Sequence, residues 1–396
     1  MDSIKSQENK KAFAIGFVCT ASYLANYYLR HILSVLTPGL LETGRFDTRQ
    51  IGLLSAMYMF FYAVGQLLNG ILGDILSPKK MASMGIALGG ISCIIFPFLR
   101  ADLLQIACFA VFGYSLSMVR GPLMKIISEN TTPNKARTIC TFFSFSSFAG
   151  PLVASILAML FKWMFAFVAA GTLALAIGVL SYVALTIMER KQIITYKTSK
   201  GIHSVFSVFK IEKFLYYMVI VSVLEVCSAS ISFWIPTYLT SELCFTKSVA
   251  NMIFSAISGA RAFMPFIALI IFRVIKEKDI LMMRTTFTIS AVMVILLMLS
   301  NNKWLCVGLL LIALLAVSCS SAILWSIYIP GLGKTGKVSS VNGVLDCTGY
   351  MVAAVSNVLF ASIMEDSGWN SVFMIWIGIE IVGILATVFV NKKSTS

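Results

Sequence analysis

The chain has 396 residues, of which 58% are hydrophobic and 12% are charged. Because a soluble domain carries about 25% charged residues, this composition excludes a protein whose whole surface faces water. The net charge of +14 does not indicate a nucleic-acid binder, since the basic residues form short clusters between apolar runs and lack the interleaved aromatic residues of such a site.

The first apolar run, residues 12–37, follows a polar and basic N-terminus. It is longer than the roughly 7–15 residue core of a signal peptide and contains Arg30 and His31, so it predicts a retained first span. Further runs approach or exceed the about 20 residues that cross a bilayer. They are residues 50–73, 81–99, 102–128, 137–160, 163–187, 213–240, 247–273, 280–300, 303–329, 337–363 and 370–391. The sequence therefore predicts an all-α membrane protein with twelve transmembrane helices.

The basic residues between the spans predict an orientation. If the N-terminus is cytoplasmic, the cytoplasmic segments hold most of them, including Lys10, Lys11 and Lys135. The opposite side holds only Arg45, Arg49, Arg100, Lys162, Lys247 and Lys303. Because Lys and Arg concentrate in cytoplasmic loops, we expect a multi-pass protein with both termini in the cytoplasm, placed in the plasma (inner) membrane of a bacterium.

The longest hydrophilic stretch lies near the middle and divides six spans from six. It predicts an N-terminal six-helix bundle at 1–188, a cytoplasmic linker at 189–212 and a C-terminal six-helix bundle at 213–396. A weak internal repeat supports this division, because span 1 ends with Pro38 and Glu42 while span 7 ends with Pro236 and Glu242. Chance similarity between apolar segments is the alternative. Repeated halves are common in secondary transporters.

The segment after span 2 runs from Gly70 to Lys80 as GILGDILSPKK. Gly70 and Gly73 allow close helix approach, and Asp74 ends the span with Lys79 and Lys80 nearby. This pattern resembles the signature between spans 2 and 3 of the major facilitator superfamily. The resemblance implies two pseudo-symmetric halves of six helices that work by alternating access, with these five residues as a conformational gate. An ordinary charged loop is the alternative.

Span 1 carries a second pattern, in which Tyr23 and Tyr27 precede Arg30 by seven and three residues and Pro38 follows it by eight. This spacing resembles the organophosphate:phosphate antiporter family, which includes glycerol-phosphate and hexose-phosphate transporters and uses this arginine to bind phosphate. Trp234 near the end of span 7 matches as well. An arginine within a span is costly, at about 2.5–3.5 kcal/mol on insertion scales, and faces a cavity or a partner. A structural pair with an acid is the alternative for Arg30.

The resemblance implies a solute site with departures from the family. We expect its members to be Arg30, Tyr23, Tyr27, Asn26, Gln66, Trp234 and Asp346. The family's second arginine, in span 7, is Ser228 here, and its span 2 lysine is Gln66. Acids are added within the spans instead, so a monoanion, a zwitterion or an amine-bearing solute fits the charges better than doubly charged phosphate.

Three charged residues within the spans are candidates for ion coupling. Glu225 and Asp346 are carboxyl groups that a cavity of low dielectric could protonate. Arg120 precedes Gly121 and Pro122 in span 4, where basic residues of the superfamily are tied to coupling. Pairing of these acids with Arg30, Arg120 or Arg261 is the alternative.

The sequence therefore predicts a secondary active transporter for a small anionic or zwitterionic organic solute, such as an organophosphate or sugar phosphate. A transporter-like membrane sensor of a phosphorylated metabolite is the alternative. An enzyme is not expected, because the chain has no metal set, nucleophile elbow or phosphate-binding loop. The nine cysteines form no CxxC pair, so we expect neither a metal nor another cofactor. The expected partners are the solute, the lipid bilayer and a proton or phosphate as coupling ion, with the protein a monomer.

Overall fold

The computed structural model describes residues 2–196, 208–211, 213–275 and 278–392. The predicted linker at 189–212 therefore lies partly outside the described residues, at 197–207 and 212. All regular elements in the described ranges are helical. The helices of the first half are α1 (Asp2–Glu42), α2 (Thr48–Ile75), α3 (Pro78–Ile95), α4 (Asp102–Ser117), α5 (Arg120–Asn130), α6 (Pro133–Leu160) and α7 (Trp163–Arg190).

The helices of the second half are more often interrupted. They are α8 (Phe214–Glu225), α9 (Ile231–Ser241), α10 (Lys247–Ala262), α11 (Met264–Val274), α12 (Asp279–Leu299), α13 (Lys303–Ile323), α14 (Ile329–Gly331) and α15 (Val338–Lys392). Five-residue π-helical segments follow α8 and α13, at Val226–Ser230 and Leu324–Tyr328. Helix α15 combines two helices that meet at Gly368, whose φ of 71° ends the first of them.

Local sequence explains where several helices begin. Asp47 caps α2, because its side chain accepts a hydrogen bond from the backbone N–H of Gln50, whose own side chain accepts from the Asp47 N–H. This reciprocal arrangement satisfies donors that a helix start leaves unpaired. Pro78 and Pro133 begin α3 and α6, where proline is favoured because its missing N–H would be unpaired anyway.

Hydropathy agrees with helices that cross a membrane. Within the described residues, nine helices are long and apolar enough to span it, or ten if α10 and α11, which meet at a 41° bend, form one span. Each of the twelve predicted spans coincides with helical backbone, including residues 213–240, where α8 and α9 flank a π segment. The prediction of an all-α membrane protein is confirmed.

The helices form two compact units. The first unit comprises Met1–Val208 and Ile329–Cys347, and the second comprises Phe209–Tyr328 and Thr348–Ser396. In the first unit, α3 packs against α7, α1 against α6 and α2 against α4. In the second unit, α12 and α11 both pack against α13. The first unit thus takes in residues 329–347, which the sequence assigns to the C-terminal bundle.

Candidate functional site

Arg30 lies among aromatic rings in the first unit. Its guanidinium carbon is 5.9 Å from the ring centroid of Tyr27 on the same helix and 5.1 Å from that of Tyr62 on α2. Tyr23 meets Tyr27 edge to face, with centroids 5.0 Å apart. The faces of aromatic rings attract a cation electrostatically. Three of the four residues that the sequence assigns to the solute site in span 1 are therefore adjacent, and Tyr62 joins them.

Helix α6 approaches α1 closely at this level. Phe143 stacks on Tyr23 with ring centroids 3.7 Å apart. A Cβ atom on Gly150 would lie 2.8 Å from the carbonyl carbon of Tyr27, so only glycine allows this approach. Phe143 and Tyr62 are not among the residues that the sequence predicts for the site, because an aromatic residue within a span has the same sequence pattern whether it lines a site or fills the core.

Two more predicted site residues are buried in the first unit. Asn26 on α1 is 2% exposed and Gln66 on α2 is 1% exposed. Across the described part of the chain, neither Oδ1 of Asn26 nor Nε2 of Gln66 has a hydrogen-bond partner, and the hydroxyl of Tyr58 has none either. An unsatisfied buried polar atom costs about 1–3 kcal/mol. These atoms are therefore suited to bind a polar solute or water.

Arg120 and Asp346 form a buried ion pair. Arg120 Nη1 lies 2.7 Å from Asp346 Oδ1, and Asn342 Nδ2 donates to Asp346 Oδ2 over 2.9 Å. Asp346 is 4% exposed and also interacts electrostatically with Arg30. The structure thus contains the pairing of Asp346 with Arg120 that the sequence leaves open as the alternative to a coupling role. The acid lies in α15 and the base at the start of α5, both within the first unit.

Asp74 binds the N-terminus of helix α15. Its two carboxylate oxygens accept hydrogen bonds from the backbone N–H groups of Ser339 and Ser340, at 3.2 and 2.7 Å. The unpaired N–H groups of a helix start carry partial positive charge and favour an anion. Lys125, which is fully buried, places its ammonium 3.1 Å from Asp74 Oδ1. Lys125 is not among the residues that the sequence predicts for the gate.

The glycines before Asp74 allow this helix start to approach. A Cβ atom on Gly70 would lie 2.7 Å from the Cα of Gly343. A Cβ atom on Gly73 would collide with the hydroxyl of Ser339, and one on Gly121 would do the same at 2.5 Å. The sequence predicts that Gly70 and Gly73 allow a second helix to approach closely. The segment that approaches them is residues 338–347 of α15.

The basic residues of the loop have different partners. Lys79 forms an ion pair with Glu189 at the end of α7 and donates to the Thr186 hydroxyl over 3.2 Å. Lys80 is exposed. The cation that contacts Asp74 is therefore Lys125 of α5. Lys79 instead links α3 to α7.

The second unit holds its own group of charged residues. Arg261 on α10 donates from Nε to the Ser318 hydroxyl over 2.8 Å and from Nη2 to the Ser228 hydroxyl over 2.6 Å. It also interacts electrostatically with Glu225. Glu225 lies at the end of α8 against Gly349, where a Cβ atom would be 2.6 Å from the Glu225 Cγ. Ser228 stands at the position of the second arginine in the antiporter family that the sequence resembles, and it contacts an arginine from another span.

The remaining predicted site residue, Trp234, is half-buried in α9 of the second unit. No group of three or more His, Cys, Asp or Glu side chains that could hold a metal ion occurs within the described residues. The arrangement in both units therefore consists of arginines, carboxylates, tyrosines and hydroxyl groups. Such groups bind an organic solute through charge and hydrogen bonds.

A family model and solved structures agree with these features. The model of the Major Facilitator Superfamily matches residues 16–354, and the chain belongs to that superfamily. It is a membrane transporter of the alternating-access type.

Three solved structures share the fold at low identity. A bacterial homologue of the iron transporter ferroportin, in an outward-facing state, is 13% identical with a TM-score of 0.76, covering 96% of this chain and 99% of that one. The human organic anion transporter MFSD10 (TETRAN) is 14% identical with a TM-score of 0.70, covering 95% and 99%. The proton:xylose symporter XylE is 12% identical with a TM-score of 0.73, covering 97% and 96%. At these identities the likeness extends to the fold alone.

Proposed function

We propose that the protein is a secondary active transporter for a small anionic or zwitterionic organic solute, related to the organophosphate:phosphate antiporters. The observation that carries the proposal is the position of Arg30 between the rings of Tyr27 and Tyr62. A guanidinium group binds a carboxylate or phosphate through paired N–H donors. One structural neighbour is named an organic anion transporter, which agrees with this class of solute.

The neighbours of Arg30 suit an organic anion. Tyr23 and Tyr27 offer ring faces and hydroxyl groups, and Asn26 and Gln66 each offer one amide atom, Oδ1 and Nε2, that lacks a protein partner within the described ranges. Asp346 compensates the charge of Arg120 at 2.7 Å. The solute's acidic group would therefore bind Arg30, while its polar groups would bind the two amides.

Coupling and gating would use the charges described above. Asp346 and Glu225 would each bind and release a coupling proton or respond to the solute. Arg120 would be the partner of Asp346, and Arg261 the partner of Glu225, in one part of the cycle. The contact of Asp74 with the N-terminus of α15 is the gate, which must open in the other state of the cycle. We also propose that the protein acts as a monomer in the inner membrane of a bacterium, with both termini in the cytoplasm.

Solute uptake into proteoliposomes tests this function. We expect Arg30→Gln to reduce the uptake of anionic solutes, glycerol phosphate among them, by about tenfold or more, because hydrogen bonds to charged groups contribute about 1.5–3 kcal/mol. Arg100→Gln is the matched control, since Arg100 is exposed. Unchanged uptake of every anionic solute by Arg30→Gln would exclude the site. Binding without uptake by the unaltered protein would favour the sensor over the transporter.

A further inference from the structure

We propose that a groove between α1 and α6 of the first unit binds an anionic phospholipid, with the lipid phosphate beside Lys135 and an acyl chain along the groove. The inference goes beyond the proposed function, because it concerns a membrane lipid rather than the transported solute. The groove is a cavity of about 650 Å³ that extends from Asn9 to Leu24 on α1 and from Lys135 to Phe142 on α6. All of its lining residues belong to the first unit.

The walls of the groove are apolar and open. Phe13 and Phe17 on α1 are 76% and 67% exposed, and Phe142 on α6 is 53% exposed. The floor between these rings is low, because Gly16 lies against Ile139 and a Cβ atom on Gly16 would be 3.1 Å from the Ile139 Cγ1. Large exposed apolar patches mark sites that contact a membrane or another partner. An acyl chain can therefore lie between the rings.

The length of the groove matches one leaflet of a bilayer. A helix rises about 1.5 Å per residue, so the part of α1 from Asn9 to Leu24 is about 22 Å long. One leaflet with its headgroup region is about 20–22 Å thick. A lipid whose phosphate lies at the level of Asn9 thus has its chain end near Leu24. Because Leu24 follows Tyr23 of the proposed solute site, the lipid would lie along the helix that carries that site.

The polar end of the groove carries positive charge. Lys135 is half-buried and lies 3.1 Å from Glu8. Lys10 precedes Phe13 by three residues and Phe17 by seven, so it shares the face of α1 that carries these rings. Two lysines and one glutamate leave one net positive charge, which complements the single negative charge of phosphatidylglycerol. Basic residues at the cytoplasmic surface attract anionic lipids, and the proposed orientation places this end of the groove in the cytoplasmic leaflet.

Lipid titration of the purified full-length protein, followed by native mass spectrometry, tests the headgroup contact. The two probes are phosphatidylglycerol and phosphatidylethanolamine with identical acyl chains. We expect phosphatidylglycerol to bind more tightly. Lys135→Gln should weaken its binding about fivefold, which is the contribution of one basic residue at a membrane surface, and should change phosphatidylethanolamine binding little. Lys191→Gln is the matched control, since Lys191 is exposed at the end of α7 and does not line the groove. Equal binding of the two lipids, or an equal effect of the two variants, overturns the inference.

Filling the groove tests the contact with the acyl chain. Thr20 is half-buried in the lining, so Thr20→Trp should place an indole ring where the chain lies and weaken the binding of both lipids severalfold. Thr172→Trp is the matched control, because Thr172 is exposed on α7. Unchanged lipid binding by Thr20→Trp overturns the inference, as does a dimer that Thr20→Trp disrupts without any dependence on lipid. If Thr20→Trp does not fold, the Lys135→Gln comparison decides alone. Neither measurement involves a transported solute, so Arg30→Gln should bind phosphatidylglycerol as the unaltered protein does, whatever its uptake.

Discussion

The ion pair of Arg120 and Asp346 shows how a single residue can matter to both stability and transport. Arg120→Gln leaves the Asp346 carboxylate buried, with Asn342 as its remaining described hydrogen-bond partner and Arg30 as a charge with which it interacts electrostatically. Removing one member of a buried pair costs about 3–5 kcal/mol, because the other charge stays uncompensated. We therefore expect Arg120→Gln to lower the melting temperature of the detergent-purified protein markedly. The double variant Arg120→Gln/Asp346→Asn should recover most of the loss, and a double variant as unstable as the single one would contradict this account.

The burial of Lys125 does not follow from its position in the sequence. It lies in the last turns of predicted span 4, three residues from the predicted end of the span, where a lysine is ordinarily expected to reach the membrane surface. Instead it is fully buried against Asp74 and 3.9 Å from Glu129. Glu129 follows Lys125 at the local i,i+4 spacing, but no local pattern predicts the contact with Asp74, because Lys125 and Asp74 are 51 residues apart and meet only when α5 packs on α2.

At the scale of helices, the contact between α2 and the start of α15 can be tested by adding one carbon atom. Gly73→Ala places a Cβ against the Ser339 hydroxyl, so residues 338–347 must move away from Asp74 and the gate should close less completely. We expect uptake in proteoliposomes to fall severalfold while expression is kept. Gly52→Ala in the same helix is the control, since a Cβ there meets nothing within 4 Å.

A compensating variant makes the Gly73 prediction specific. Ser339→Gly removes the hydroxyl and the Cβ carbon of residue 339 and leaves Pro122 Cγ, at 3.0 Å, as the remaining close neighbour of the added Cβ, so Gly73→Ala/Ser339→Gly should recover most of the uptake. The backbone N–H of Ser339 still bonds to Asp74 in that variant, because the bond uses no side-chain atom of residue 339. If Gly73→Ala alone has full activity, the close packing at this position does not control the gate.

The sequence predicts the helices well and their partners poorly. Apolar runs of about 20 residues are sufficient to locate a span, and the run at 137–160 lies within α6. Interruptions such as the π segment at Val226–Ser230 are not visible, since they depend on packing rather than on glycine or proline. The contact of Arg261 with Ser228 is equally hidden, because the two residues come from different spans and neither position predicts the other.

At the scale of the whole molecule, the division into units differs from the division of the sequence. The unit boundary falls within helix α15, between Cys347 and Thr348, so residues 329–347 pack with helices of the first half. Gly333, for example, approaches the backbone of Ser128 so closely that no larger residue fits. Such a segment couples the gate at Asp74 to the ion pair at Asp346, because both contacts are made by the first three turns of one helix.

The orientation of the molecule can be tested with one cysteine. Cys244 lies between α9 and α10 and is the exposed one among the nine cysteines, the others being buried or partly buried. The distribution of basic residues predicts that this loop faces away from the cytoplasm. A membrane-impermeant maleimide should therefore label the protein in intact cells through Cys244, and Cys244→Ser should abolish the label. Labelling found only in inside-out vesicles would indicate the opposite orientation. The Asp74 gate would then lie on the outer face, because Asp74 and Cys244 are predicted to lie on opposite sides of the membrane.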